Sequence, residues 1–187
     1  MKWYKINETF YSIQGEGHHT GMPAVFIRFA GCNLACSFCD TDHSTYKELT
    51  QLDVMNEVKK YPCKNIVLTG GEPTLQLDPE FCYPLKEAGY QLHLETNGTI
   101  GIPTLIPFID WLTVSPKAEG FRIRCGNEIK VVYTGQELHP YQIDTNFHHY
   151  YLQPCSGENI SETLKAVLDR GNLWKLSVQL HKILEVK

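Results

Sequence analysis

The run Ala24-Val25-Phe26-Ile27-Arg28-Phe29-Ala30 is apolar at all but one position, which predicts a buried strand rather than the alternating strand of a half-solvated sheet. Downstream the period changes. Thr50 and Asp53 signal a helix N-terminus, and Leu52, Val54, Met55 and Val58 are spaced to lie on the inner side of the helix they open. Residues 65–68 form the next apolar run. Asp78-Pro79-Glu80 then supplies an N-cap, a proline at the first helical position and an acid suited to the helix dipole. Phe81, Leu85 and Ala88 mark the face of that helix, Pro84 predicts a bend within it, and Gly89 ends it. Further strands are expected at 90–94, 111–114, 129–133, 150–153 and 174–180, with a helix over 161–170 closed by Gly171.

Strands alternating with helices imply a mostly parallel sheet with right-handed crossovers. About six strands in 187 residues fall short of the roughly 250 residues of a complete eightfold barrel, so the expected α/β fold is an incomplete, mostly parallel (β/α)6-type barrel in one domain, 1–187. An open dinucleotide-binding sheet is the competing architecture. Its phosphate fingerprint is missing, because the glycines of Gly15-Glu16-Gly17-His18-His19-Thr20-Gly21 have the wrong spacing and precede the first buried strand.

With 42% hydrophobic and 20% charged residues, the chain has the composition of a packed globular domain. Its net charge of −4 offers no positive field for a polyanion, so nucleic acid is not an expected partner. No apolar run approaches the ~20 residues that cross a bilayer, and Met1-Lys2-Trp3-Tyr4-Lys5 does not open a secretory signal. A cytoplasmic protein without a membrane partner is expected. The seven cysteines are an odd number, and Cys32, Cys36 and Cys39 lie within eight positions, which favours metal or redox chemistry over a disulfide framework.

These three cysteines have the spacing C-x3-C-x2-C and follow the first buried strand directly. Four- and three-residue steps would also share a helix face, but Gly31, Asn33, Asp40, Thr41 and Asp42 make a poor helix. Three soft thiolates select zinc, copper(I) or an iron–sulfur cluster. His43 could complete a Cys3His zinc site, and a non-catalytic zinc module is one reading. Three cysteines on a four-iron cubane instead leave one iron free for a small molecule, whereas an electron carrier would normally use four.

The loop, with Phe38 before its last cysteine, resembles that of radical S-adenosylmethionine (SAM) enzymes. The runs Gln14-Gly15-Glu16-Gly17, Cys39-Asp40-Thr41, Thr69-Gly70-Gly71-Glu72-Pro73, Glu95-Thr96-Asn97-Gly98, Ser115-Pro116-Lys117, Gln153-Pro154 and Gln179-Leu180-His181-Lys182 narrow the resemblance to the 7-carboxy-7-deazaguanine synthase family. The fold so implied is the incomplete barrel of the radical SAM kind. The resemblance implies a 4Fe–4S cluster on Cys32, Cys36 and Cys39, and SAM contacts from Phe38, Cys39, Asp40, Gly70, Gly71, Glu72, Gly98, Ser115, Pro116, Lys117, Gln153 and Pro154. It implies Mg2+ on Thr41, and a pterin substrate held by Ile13, Gln14, Gly15, Glu16, Arg28, Thr96 and His181.

The implied reaction contracts the ring of 6-carboxy-5,6,7,8-tetrahydropterin to 7-carboxy-7-deazaguanine with loss of ammonia, in the route to queuosine and other 7-deazapurines. SAM is cleaved by an electron from a flavodoxin- or ferredoxin-type donor, and the resulting 5′-deoxyadenosyl radical takes hydrogen from C6 of the pterin. No residue stands out as a catalytic acid or base. A radical SAM activase of a protein substrate would share the cysteine loop without needing the pterin-facing runs. Several of the named runs follow predicted strands, and in a parallel barrel such loops share one rim. Arg28 interrupts an otherwise apolar strand and therefore needs a partner such as a carboxylate. The chain is short for such a barrel, with an abbreviated stretch at 135–146, and a homodimer is expected to cover the open side.

Overall fold

A computed structural model of the chain describes residues 2–117 and 119–187. Nine strands, β1 (Trp3–Ile13), β2 (Pro23–Phe29), β3 (Lys47–Thr50), β4 (Asn65–Gly70), β5 (Gln91–Thr96), β6 (Trp111–Val114), β7 (Cys125–Tyr133), β8 (Asn146–Pro154) and β9 (Trp174–Leu176), form one sheet. Their order is β3-β1-β2-β4-β5-β6-β7-β8-β9, and the two ends do not pair, so the barrel stays open. From β2 through β4 to β9 every pairing is parallel, in registers such as Val25↔Ile66, Ile66↔Leu92 and Ile129↔Tyr150. β1 is antiparallel to both β2 and β3.

Among the described residues five α-helices accompany the sheet: α1 (Gln51–Val58), α2 (Pro79–Glu87), α3 (His139–Gln142), α4 (Ile160–Asp169) and α5 (Leu180–Ile183). Both anticipated N-caps are present. The Thr50 hydroxyl accepts from the Asp53 amide while Asp53 accepts from the Thr50 amide, and Asp78 accepts from the Phe81 amide. α2 runs through Pro84. Leu52 and Ala88 are exposed rather than inward-facing, so the apolar stripes are narrower than their spacing implied.

The two faces of the parallel strands differ in chemistry because side chains alternate across a strand. Ile66, Leu68, Leu92, Leu94, Leu112, Val114, Ile129, Val131 and Leu152 join Val54, Met55, Val58, Phe81 and Leu85 in the main core. The intervening positions are of another kind: Arg28, Thr69, His93, Glu95, Thr113, Ser115, Glu128, Lys130 and Gln153, most of them buried despite being polar. A near-continuous apolar helix-facing side and a polar second side are what a site built inside a barrel requires.

Several elements differ from expectation. β1 and β3 were not anticipated, because the polar run Asn7-Glu8-Thr9 breaks any strand period in Trp3–Ile13 and Lys47–Thr50 is short and mostly polar. The predicted strand at 174–180 ends at Leu176 and turns into α5, so His181 stands on a helical turn. The β5–β6 crossover contains only the 3-10 turn Ile106–Phe108, and the β7–β8 crossover only the four-residue α3. The short crossovers account for much of the small size of this barrel. Its interior is occupied from within by the β1–β2 connection, residues 14–22, which reaches β5, β7 and β8 through side-chain bonds. None of the helices is long and apolar enough to cross a membrane, among the described residues.

Candidate active site

The strand-end loops converge on a cavity of about 490 Å3 at the C-terminal ends of the parallel strands. Part of its wall is formed by the cysteine loop. Cys32 and Cys36 are half-buried and Cys39 is exposed, and all three line the cavity with Phe38, Asp40, Thr41 and His43. The Leu34 amide donates to Cys32 Sγ at 3.4 Å, and the Cys39 amide to the Cys36 carbonyl at 3.1 Å, so the loop is wound back on itself by its own backbone. Burial raises the Cys36 pKa; Lys117 counteracts this, while the Cys32 and Cys39 thiols reinforce it.

The cysteine loop is braced from three directions. The Gly31 amide donates to the His43 carbonyl and the Glu72 amide to the Gly31 carbonyl, at 3.1 and 2.9 Å. Asn33 accepts from Asn97 Nδ2 at 3.0 Å and donates to Thr99 Oγ1 at 2.8 Å. Asp40 pairs with Lys182 of α5 at 2.6 Å. At Gly71 any side chain would collide with the Gly31 carbonyl, so glycine is required for the β2 and β4 loops to touch.

Beyond the cysteines, Lys117 Nζ donates to Ser115 Oγ at 3.1 Å, and Ser115 Oγ donates to the Lys130 carbonyl at 2.9 Å, which anchors this loop on β7. Burial lowers the Lys117 pKa, as does the nearby Lys130 charge. Also on the cavity wall, the Arg28 Nε donates to Glu8 Oε1 at 3.0 Å, so its partner within the chain is a β1 carboxylate. Phe10 stacks on Phe26 at 4.9 Å, giving this part of the cavity an aromatic wall beside the guanidinium. Ile13, Gln14, Gly15, Glu16, Thr96 and His181 complete it. His181 lies so close to Gly15 that a Cβ there would overlap its ring, and the Leu180 amide donates to the Gly15 carbonyl at 2.8 Å.

The cavity brings together nineteen of the residues singled out from sequence and leaves out three: Glu72, Gly98 and Pro116. Glu72 is fully buried, and its carboxylate is already committed. Oε1 accepts from the Thr74 amide and from the Thr74 and Thr96 hydroxyls, while Oε2 accepts from the Asn97 amide. These bonds tie the β4 and β5 loops together. Gly98 packs on Val114 behind the wall, and its carbonyl accepts from the Arg122 and Ile123 amides. Pro116 is buried between the two cavity-lining residues Ser115 and Lys117. Glu95, Gln179 and Lys182, quoted in the motif runs without a role of their own, also line the cavity, as does Lys130, which sequence reasoning missed. For Lys130 a signal existed, a charge inside the apolar run 129–133.

Zinc and a four-iron cluster make different demands on the three thiols. Among the described residues, no three His, Cys, Asp or Glu side chains converge tightly enough to hold a single metal ion. A zinc ion needs four ligands within about 2.0–2.3 Å of one point, whereas a four-iron cluster is a wider body with its ligands distributed around it. Three soft thiolates lining one cavity are the donor set a four-iron cluster takes, and they leave one of its irons free for a small molecule.

Comparison with known proteins agrees. Residues 26–118 match the family model of the radical SAM superfamily. The 7-carboxy-7-deazaguanine synthase of Bacteroides thetaiotaomicron is 48% identical over 98% of both chains, and that of Neisseria meningitidis is 41% identical over 96% of this chain and 92% of its own. The crystal structure of QueE from Escherichia coli superposes with a TM-score of 0.75 at 28% identity, covering 96% of this chain and 95% of that one. Matched along nearly its whole length, this chain belongs to the 7-carboxy-7-deazaguanine synthase family of radical SAM enzymes.

Proposed function

We propose that this lyase converts 6-carboxy-5,6,7,8-tetrahydropterin to 7-carboxy-7-deazaguanine with loss of ammonia, as the names of its relatives indicate for the product. The observation that carries the reading is a single cavity whose wall holds three thiols together with Arg28, Gln14, Glu16 and Thr96. Cys32, Cys36 and Cys39 would hold the 4Fe–4S cluster, and Phe38, Asp40, Gly70, Gly71, Ser115, Lys117, Gln153 and Pro154 would surround SAM. Cluster and SAM, when bound, supply a one-electron reductive cleavage that yields a hydrogen-abstracting radical. The chain's own residues bind, orient and exclude water. Lys117 offers a positive charge to a carboxylate, Arg28 offers hydrogen-bond donors, and the aromatic wall of Phe10 and Phe26 suits a flat ring.

Three further parts of the reading have structural support. Thr41 lies on the cavity wall with its hydroxyl 3.5 Å from Asp40 Oδ1, a poor metal site alone, so Mg2+ would bind there through oxygens contributed by the substrate. Cys39 is exposed, which brings the cluster end within reach of a flavodoxin- or ferredoxin-type donor. Ile160, Leu164 and Leu168 form an exposed apolar stripe along α4, a surface suited to a homodimer.

Anaerobic incubation with reductant, SAM, Mg2+ and the carboxypterin should yield 7-carboxy-7-deazaguanine by mass analysis. SAM cleavage without carboxypterin consumption would instead point to another substrate. Thr41→Ala should blunt the response of turnover to Mg2+ far more than it weakens SAM binding, with Thr41→Ser intermediate; identical Mg2+ titrations in wild type and Thr41→Ala would remove the metal from this residue.

A further inference from the structure

β7 carries Glu128 and Lys130 two residues apart, hence on the same inward face. Both meet the β1–β2 connection. The Glu128 carboxylate accepts from the His18 amide at 2.9 Å and lies where a Cβ on Gly17 would have to go. Lys130 Nζ donates to Glu16 Oε2 at 2.5 Å and stands 3.8 Å from Glu95 Oε1. Lys130 is 3% exposed. The other Glu16 oxygen accepts from Gln153 Nε2 at 3.0 Å and Gln179 Nε2 at 2.8 Å, so donors from β7, β8 and the segment before α5 meet on one carboxylate in the cavity wall. An ammonium enclosed this deeply is costly unless its charge is used, and here it faces the carboxylate of a cavity loop.

We propose that Lys130 is a positioning residue of the substrate site, fixing the Glu16 carboxylate in its ionised form and in one orientation toward the pterin. The inference rests on the reading that this cavity receives the carboxypterin, and adds a residue that does not itself need to touch it. The charged or titratable groups facing Glu16 are Lys130 and Glu128 on β7, Glu95 on β5, Lys117 after β6 and His181 on α5. Burial alone would push the Glu16 carboxyl upward; the Lys130 charge and its hydrogen bond, helped by Gln179 and His181, bring it down to about 2. Removing the ammonium leaves burial and the neighbouring carboxylates as the dominant influences. Glu16 would then take up a proton within the working range, and one of its oxygens would become a donor where an acceptor had been.

The test is equilibrium binding of the carboxypterin to cluster-loaded, SAM-bound protein, held anaerobic without reductant so that nothing turns over, between pH 5.5 and 8.5. Wild type should bind with little pH dependence attributable to Glu16. Lys130→Met should bind roughly ten- to a hundredfold more weakly and gain an acid limb displaced upward by two or more pH units. Should Lys130→Met fail to fold, Glu16→Gln is compared with Glu16→Gln/Lys130→Met, a neutral pair of similar shape; equal affinity for these two is expected, because Lys130 acts through Glu16. Unchanged affinity in Lys130→Met, a pH profile parallel to wild type, or a further loss on adding Lys130→Met to Glu16→Gln would each overturn the positioning role. A wild type that does not bind the carboxypterin overturns the functional reading itself, and this proposal with it.

Discussion

Arg28 illustrates how a residue that interrupts a pattern can report on a site. Its Nε is engaged by Glu8, and its side chain is only about a fifth exposed, yet the residue still lines the cavity. Lysine at this position would keep the charge and lose the planar fork that can serve two partners at once. Arg28→Lys should therefore raise the apparent substrate constant by roughly ten- to a hundredfold, the loss of one charge-assisted bond of about 1.5–3 kcal/mol, while iron content and SAM binding persist. Normal substrate affinity in a cluster-replete variant would make Arg28 a β1–β2 strut and nothing more. Lys130 interrupts its strand in the same way as Arg28. Both are legible as charges inside apolar runs, but the role of Lys130 depends on its partner Glu16, which is 114 residues away in the chain.

At the scale of elements, the loops owe their positions to bonds between one strand end and the next. Glu72 is the clearest case: it leaves β4, caps the 3-10 turn Pro73–Leu75 and accepts from both Thr96 and Asn97 at the end of β5. Glutamine would preserve the shape but place an amide NH2 where one carboxylate oxygen now accepts. Glu72→Gln should cost about 2 kcal/mol, or roughly 4–8 °C in Tm for a chain of this size. A thermal melt indistinguishable from wild type would mean the loops are held by other contacts. The resemblance implies a SAM contact for Glu72 from its motif; the folded chain adds the bonds its carboxylate accepts from Thr74, Thr96 and Asn97.

For the molecule as a whole, a polar barrel interior makes stability depend on pH in two opposing ways. Burial raises Glu128 to about 7, so its contribution is full below the ordinary carboxyl pKa and is lost as pH rises through 7. Burial beside His19 lowers His93 to about 4, so its contribution is present above pH 6.5 and is lost as pH falls toward 4. In urea denaturation across pH 4–8, Glu128→Gln should gain on wild type with rising pH, and His93→Gln should gain with falling pH. Each change should amount to about 2–3 kcal/mol over its window. Stability curves parallel to wild type for both variants would show that these groups are solvated enough to titrate normally.

The apolar runs and helix caps by themselves determined the parallel sheet and its helices, because burial on both faces and capping chemistry are written in neighbouring residues. The triplet of cysteines narrowed the metal to zinc, copper(I) or an iron–sulfur cluster, and the family resemblance, rather than the spacing, pointed to the cluster. Tertiary structure decided what depends on distant partners: that β1, without a regular apolar period, becomes a strand between β2 and β3, that residues 14–22 fill the barrel from inside, and that His181 reaches Gly15 from a helical turn. It also decided that Lys130, and not Glu72, faces the cavity. A local window records a side chain's own character, whereas a buried charge acquires its role from the partner that folding brings to it.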